Sequence, residues 1–202
     1  MKILIVGANG LMGQAALKGL AHHDVVTASR SGSTCDHQVD ITNTASIRAL
    51  FEKVGQVDAV ICAVGHCEYA PFVTMTDDQW RVTIESKLLG QINLVRVGCD
   101  YVADCGSFTL ISGILNIKPV PEAIADATTS GAIDTFVRCV AHEMPRGIRI
   151  NVINPTVLEE AWDVYGAMMP GFEPVPGARC VFADCIQPNA SSQLGVWLVV
   201  DG

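Results

Sequence analysis

The sequence predicts an α/β fold, a doubly wound parallel sheet of about seven strands with helices on both faces. Three observations predict it. Short β-branched runs alternate with helical patterns along the whole chain, and the first run empties directly into a glycine-rich turn. The run Val57–Val64 is apolar apart from Asp58, as expected of a parallel strand covered on both faces. Half of the 202 residues are apolar and 17% are charged, with no repeat and no linker. That composition suits a single domain over residues 1–202 with a sizeable core.

The first unit is the strand Lys2–Val6, followed by Gly7-Ala-Asn-Gly-Leu-Met-Gly13 and the helical pattern Leu11–Leu20. Three glycines spaced G-x-x-G-x-x-G let the backbone turn sharply and approach a pyrophosphate. The helix N-terminus behind them presents free N–H groups and a positive dipole end. Directly after an N-terminal strand, the pattern reads as the first βα unit of a Rossmann-type dinucleotide-binding domain.

The second strand, Val25–Ala28, ends in Ser29-Arg30-Ser31, about twenty residues beyond the glycines, where such folds contact the adenosine ribose. An acidic residue there would bind the 2′-hydroxyl of NAD. Two hydroxyls flanking a fork-shaped cation suit a 2′-phosphate instead, so NADP(H) is expected over NAD(H). Gln38–Ile41 is a short third strand whose Asp40 can meet the adenine edge, and Ser46–Val54 is a helix. The Val57–Val64 strand ends at Gly65, followed by a loop with His66 and Tyr69 and a long helix over Asp77–Val102. Gly106–Ser112 is the fifth strand. Two prolines make Ile114–Pro121 a loop over the carboxyl ends of the strands. Glu122–Met144 is a second long helix stopped by Pro145, Gly147–Ile153 the sixth strand, Leu158–Met168 a helix, and Gly195–Val200 the last strand.

A formal net charge of −8 with no basic face argues against a nucleic-acid or acidic-membrane partner. Eight cysteines without a C-x-x-C pair, and five histidines without ligand spacing, read as reduced thiols of a cytoplasmic protein with no metal centre. The N-terminal apolar run is too short for a signal peptide, and no run reaches the ~18 apolar residues of a membrane span.

Taken in order, these elements resemble the short-chain dehydrogenase/reductase family from end to end. The resemblance rests on the glycine loop, Asp40, and Ala63-Val-Gly65 where the family has Asn-Ala-Gly. It continues through Trp80…Leu89-Gly90, Glu143…Gly147-Ile-Arg-Ile-Asn151, Asn154-Pro155 where Pro-Gly is usual, and Val200-Asp-Gly202. It implies a cofactor site on Gly7, Asn9, Gly10, Leu11, Met12, Gly13, Ser29, Arg30, Ser31, Asp40, Ile41, Ala63, Val64, Gly65 and Pro155. It also implies a small-molecule substrate, and a homodimer or homotetramer built through the two long helices, which are apolar beyond one stripe.

The family's catalytic Tyr-x-x-x-Lys pair is absent. Its tyrosine position falls on Asp126 and its lysine position on Ser130; the helix-borne asparagine is Lys87, and the serine falls at Ser112 or Gly113. The tyrosines Tyr69, Tyr101 and Tyr165 have Val73, Cys105 and Met169 four residues on. Lys87 and Asp126 are expected to pair, either as a structural ion pair or with Lys87 reaching the ribose hydroxyls or polarising a carbonyl oxygen and Ser112 as hydrogen-bond donor. The sequence therefore supports two functions: an oxidoreductase with a rearranged proton-transfer group, or an inactive NADP(H)-binding module acting as redox sensor or partner subunit.

Overall fold

The computed structural model describes residues 1–180, 182–186 and 197–200. Strands β1 (Lys2–Val6), β2 (Asp24–Ser29), β3 (His37–Gln38), β4 (Val57–Cys62), β5 (Val102–Ile111), β6 (Arg149–Pro155) and β7 (Trp197–Val200) form one parallel sheet in the order β3-β2-β1-β4-β5-β6-β7. The order reverses between β1 and β4, the point where ligands bind in open α/β sheets. Helices cover both faces. On one face α2 (Thr44–Val54), α4 (Gly90–Gly98) and α5 (Ile124–Val140) bury Phe51, Leu94, Ile133 and Val137 against Leu4, Val60, Leu110 and Val152. On the other, α1 (Leu11–Gly19) and the chain beyond Thr156 bury Leu20, Val175 and Phe182 against Ile3, Ile61 and Ile153. Alternate residues of β1 thus face opposite cores, which is why it is apolar from Ile3 to Val6.

Several boundaries differ from the sequence reading. The first long helix is α3 (Asp77–Thr83), a π-helical segment over Ile84–Leu89, and α4; it stops at Gly98 rather than Val102. The Tyr101 amide turns back onto the Gly98 carbonyl, and β5 starts at Val102. Its register against β4 shifts between Val57 and Ala59, where Cys105 takes a positive φ of 60°, so only the part from Ser107 pairs regularly. Helix α5 is shorter than Glu122–Met144, because Glu122 has φ 66° and the last turn unwinds ahead of Pro145. Strand β4 stops at Cys62, β3 spans two residues, and β6 begins only at Arg149 after Gly147 turns with φ 70°. Leu158–Met168 is a 3₁₀ turn, a four-residue helix α6 (Trp162–Tyr165) and a second 3₁₀ turn. Among the described residues, no helix is long and apolar enough to cross a membrane.

Candidate active site

The carboxyl ends of β1, β2 and β4 open into a cleft of about 360 Å³, and a second of about 330 Å³ lies over the ends of β5 and β6. Both are lined by Gly65 and His66, so they are two lobes of one groove.

The first lobe gathers most of the expected cofactor residues: Gly7, Asn9 and Gly10 from the glycine loop, Ser29, Arg30 and Ser31 after β2. Asp40 and Ile41 follow, then Ala63, Val64 and Gly65 after β4. Gly7 has φ 91°, and a Cβ there would lie 2.3 Å from Val64 Cγ1 and 2.4 Å from the Ala63 carbonyl oxygen; one on Gly13 would lie 2.1 Å from the Gly7 oxygen. These two glycines are fixed by the chain's own packing. Gly10 is different. A Cβ on it would meet protein no closer than 3.5 Å, so the space above it is open to the groove.

Asn9 ties this loop to the next. Its Nδ2 donates to Ser29 Oγ (3.0 Å) and Ser31 Oγ (3.4 Å), and its Oδ1 accepts from Thr34 Oγ1 (2.8 Å). Arg30 is exposed on the same rim. Asp40 Oδ1 accepts from the Thr42 amide (3.0 Å) and hydroxyl (2.7 Å), closing the turn into α2. Leu11 and Gly13 line neither lobe: Leu11 points outward at 48% exposure, and Gly13 packs α1 against the loop.

The second lobe holds Lys87, Ser112 and Asp126, together with Met12 and Pro155. Lys87 lies in the π-helical segment, within the long helix where an extra residue widens the turn. Its Nζ is paired with Asp126 Oδ1, and both side chains are about nine-tenths buried. Ser130 Oγ donates to the same oxygen (3.0 Å), and Tyr69, reaching in from the loop after β4, donates its hydroxyl to Asp126 Oδ2 (2.7 Å). Burial alone would raise the Asp126 carboxyl. The Lys87 charge and the donors Lys87, Tyr69 and Ser130 outweigh it and hold the carboxyl below its ordinary range. Burial, and then the Asp126 charge, push the Tyr69 phenol well above its ordinary range. Burial pushes the Cys67 thiol beside the pair up to about 12, and the core thiol of Cys62 likewise. Neither is a thiolate at neutral pH.

Ser112 departs from the expectation. Its hydroxyl donates to Asn154 Oδ1 (2.6 Å), not toward the groove, and the Gly113 amide donates to the same oxygen (2.9 Å). Asn154 Nδ2 in turn donates to Asp134 Oδ2 (2.9 Å) on α5, which also accepts from Asn116 Nδ2 (2.5 Å). The sequence reading missed Asn154, Asp134 and Asn116 as site residues. The available signal was Asn154 itself, standing where the resembled family carries proline. His66 is exposed and pairs with Glu68 Oε1 (2.7 Å) at the junction of the lobes. No group of three or more His, Cys, Asp or Glu among the described residues is placed to hold a metal ion.

Chemically, the groove offers a glycine-lined trough and one ammonium. Lys87 has three N–H donors; Asp126 engages one of them and the Cys67 side chain another.

Comparison with known proteins shows the family and the fold. A family model described as enoyl-(acyl carrier protein) reductase matches residues 14–201. The crystal structure of the protein lin1944 from Listeria innocua is 42% identical, covers 99% of each chain and superposes with a TM-score of 0.94. A small-chain dehydrogenase solved in complex with NADPH is 22% identical with a TM-score of 0.85, over 100% of this chain and 96% of that one. An uncharacterized oxidoreductase of Methylorubrum extorquens is 25% identical over 137 residues, 65% of this chain and 55% of its own. The chain spans about half the length of several curated relatives it matches.

Proposed function

Because the chain belongs to the short-chain dehydrogenase/reductase family, we propose that it is a cytoplasmic NADP(H)-dependent oxidoreductase acting on a carbonyl or hydroxyl group of a small molecule. In this reading Lys87 stands at the proton-transfer step in place of a tyrosine. The observation that carries it is the Lys87 ammonium lining the second lobe with a donor beyond those Asp126 and Cys67 engage.

The groove fits a dinucleotide on evidence internal to the chain. Gly10, the N-cap of α1, has an ordinary φ of −78° and no protein atom nearer than 3.5 Å to its Cβ position, which leaves room for a ligand against the loop. Gly7, Asn9 and Gly10 would hold the pyrophosphate together with the backbone amides of Leu11 and Met12 at the start of α1, while Gly13 lets the helix pack against the loop. Ser29, Arg30 and Ser31 would hold a 2′-phosphate, Asp40 and Ile41 the adenine, and Ala63, Val64, Gly65 and Pro155 the nicotinamide half. When bound, the cofactor supplies or accepts the hydride.

Lys87 then does what the missing tyrosine would. In the reducing direction an Nζ–H passes to the substrate oxygen as negative charge develops there, leaving a hydroxyl product and a neutral amine that regains its proton from water. Ser130 and Tyr69 keep Asp126 in place.

A second reading, an NADP(H)-binding module without turnover, is favoured by the closure of the polar groups on one another. Both Asp126 oxygens are engaged, and the Ser112 proton is directed to Asn154. Following NADPH oxidation over a panel of aldehydes, ketones and quinones separates the two. Turnover abolished by Lys87→Met supports the oxidoreductase; NADPH binding with no turnover supports the module; turnover unchanged in Lys87→Met removes the role of Lys87. The long helix also exposes Val82, Ile84 and Leu89 at 43%, 37% and 43%. We take the two long helices as the interface of a homodimer or homotetramer.

A further inference from the structure

We infer that Asp134 and Asn154 hold Ser112 in the second lobe as a hydrogen-bond acceptor, so that the site selects substrates carrying a hydroxyl beside the reacting carbonyl. The inference rests on the oxidoreductase reading above and adds a substrate class to it.

The argument follows the donors. A carboxylate accepts only, so Asp134 Oδ2 fixes which end of the Asn154 amide faces it: the NH₂ group, at 2.9 Å. The amide oxygen must then face Ser112 and Gly113. The Gly113 backbone N–H, which can only donate, independently requires an oxygen there and finds it at 2.9 Å. Two constraints from opposite sides give the same orientation. Ser112 has one proton, and it lies on the 2.6 Å bond to that oxygen. Asp134, Asn154 and Ser112 are 1%, 0% and 4% exposed, so water does not compete for these bonds. What Ser112 has left for the lobe it lines is lone pairs.

Lys87 supplies the complementary group close by. A Cβ on Gly113 would lie 3.7 Å from Lys87 Nζ. Ser112 and Lys87 thus line the same lobe, with the residue after Ser112 beside the ammonium. A carbonyl oxygen suits the ammonium, and an adjacent hydroxyl suits the serine. The remaining wall includes Met12, Leu115, Val157, Leu158 and Met169, which suits an apolar body. The substrate class is an apolar α-hydroxy ketone, or the vicinal diol it becomes on reduction. Asn154 and Asp134 act through Ser112 and are positioning residues.

The test compares 2-hydroxyacetophenone with acetophenone as ligands of the NADP⁺-loaded protein, by calorimetry and ligand-observed NMR, where no turnover occurs. The hydroxy ketone is expected to bind about three- to tenfold more tightly, the range one net hydrogen bond supports. Ser112→Ala should erase that preference and leave NADP⁺ affinity unchanged. Asn154→Ala frees the serine proton, so the variant should also gain affinity for 2-methoxyacetophenone, which can only accept, with NADP⁺ affinity retained; a purely structural role would weaken nucleotide and every ketone together. Should Asn154→Ala fail to fold, wild type and Ser112→Ala decide the matter. Equal binding of the two ketones, binding of neither, or a preference that survives Ser112→Ala overturns the inference while leaving NADP(H) binding in place. Failure to bind NADP⁺ at all, seen in the preceding nucleotide titration, overturns the oxidoreductase reading and this inference with it.

Discussion

Gly10 and Arg30 are the residues at which cofactor binding can be separated from folding. Gly10→Ala meets nothing closer than 3.5 Å in the chain, so its melting temperature should stay within about 1 °C of wild type, a surface-scale effect. Its NADPH affinity should fall at least tenfold, read by fluorescence titration. Arg30→Ala should weaken NADPH more than NADH, since the fork-shaped cation is assigned to the 2′-phosphate. Equal weakening contradicts that assignment. Lys87→Met carries a stability signature as well as an activity one. Removing one partner of a buried pair costs about 3–5 kcal/mol. Because the folded Asp126 carboxyl is held below its unfolded value, it stabilises the wild type at pH above the unfolded value, near ~3.9. That contribution is lost as pH falls through the lower folded value. In Lys87→Met the main opposing influence is gone and burial disfavours the carboxylate. The stability gap between variant and wild type should therefore narrow on acidification from pH 7 to 4, in denaturant melts; a constant gap contradicts the pairing. The Lys87–Asp126 pair was legible in the sequence because the two positions fall on neighbouring helices of a recognisable scaffold. The direction of the Ser112 proton was not. It is set by Asn154 and Asp134, twenty and more residues away along the chain, and a hydroxyl carries no sequence mark of donor or acceptor.

At the scale of elements, strands were easier to read than helix ends. Near-continuous apolarity marked β1 and β4, because each buries alternate residues in the two opposite cores. The first long helix was read too far, since Tyr101 and Val102 continue an apolar pattern that tertiary packing divides between a turn and β5. Gly98 lets the last turn of α4 pack closely on the core. A Cβ there would lie 2.6 Å from Phe51 Cζ and 3.0 Å from Phe108, so the helix end sits directly on two buried rings. Gly98→Ala should cost about 1–3 kcal/mol through overpacking, measured by urea denaturation, despite the better helix propensity of alanine. Stabilisation instead would mean that α4 does not pack this closely. The π-helical segment over Ile84–Leu89 was invisible to periodicity, as one widened turn leaves the apolar pattern almost unchanged.

For the whole molecule, the glycine loop, the strand succession and the two-faced core together made the architecture readable. The segment from Thr156 to Cys180 was not, because its short 3₁₀ and helical pieces are shaped by what they cover. They bury Val157, Leu158, Met169 and Val175 and close one side of the second lobe. Assembly is the expectation that belongs to this scale. Leu89→Glu on the exposed helical face should shift the sedimentation profile toward monomer, and an unchanged profile would place the interface elsewhere. The central claim is that the groove binds a dinucleotide with a 2′-phosphate, and its most direct measurement is the melting temperature of the wild-type chain titrated with NADPH and, separately, NADH. At a hundred times its dissociation constant NADPH should add about 2.7 kcal/mol. For a chain of this size that raises the midpoint by roughly 5–10 °C, with NADH needing a higher concentration for the same shift. An unmoved midpoint with both nucleotides, or a shift with NADH at lower concentration than with NADPH, would contradict the account.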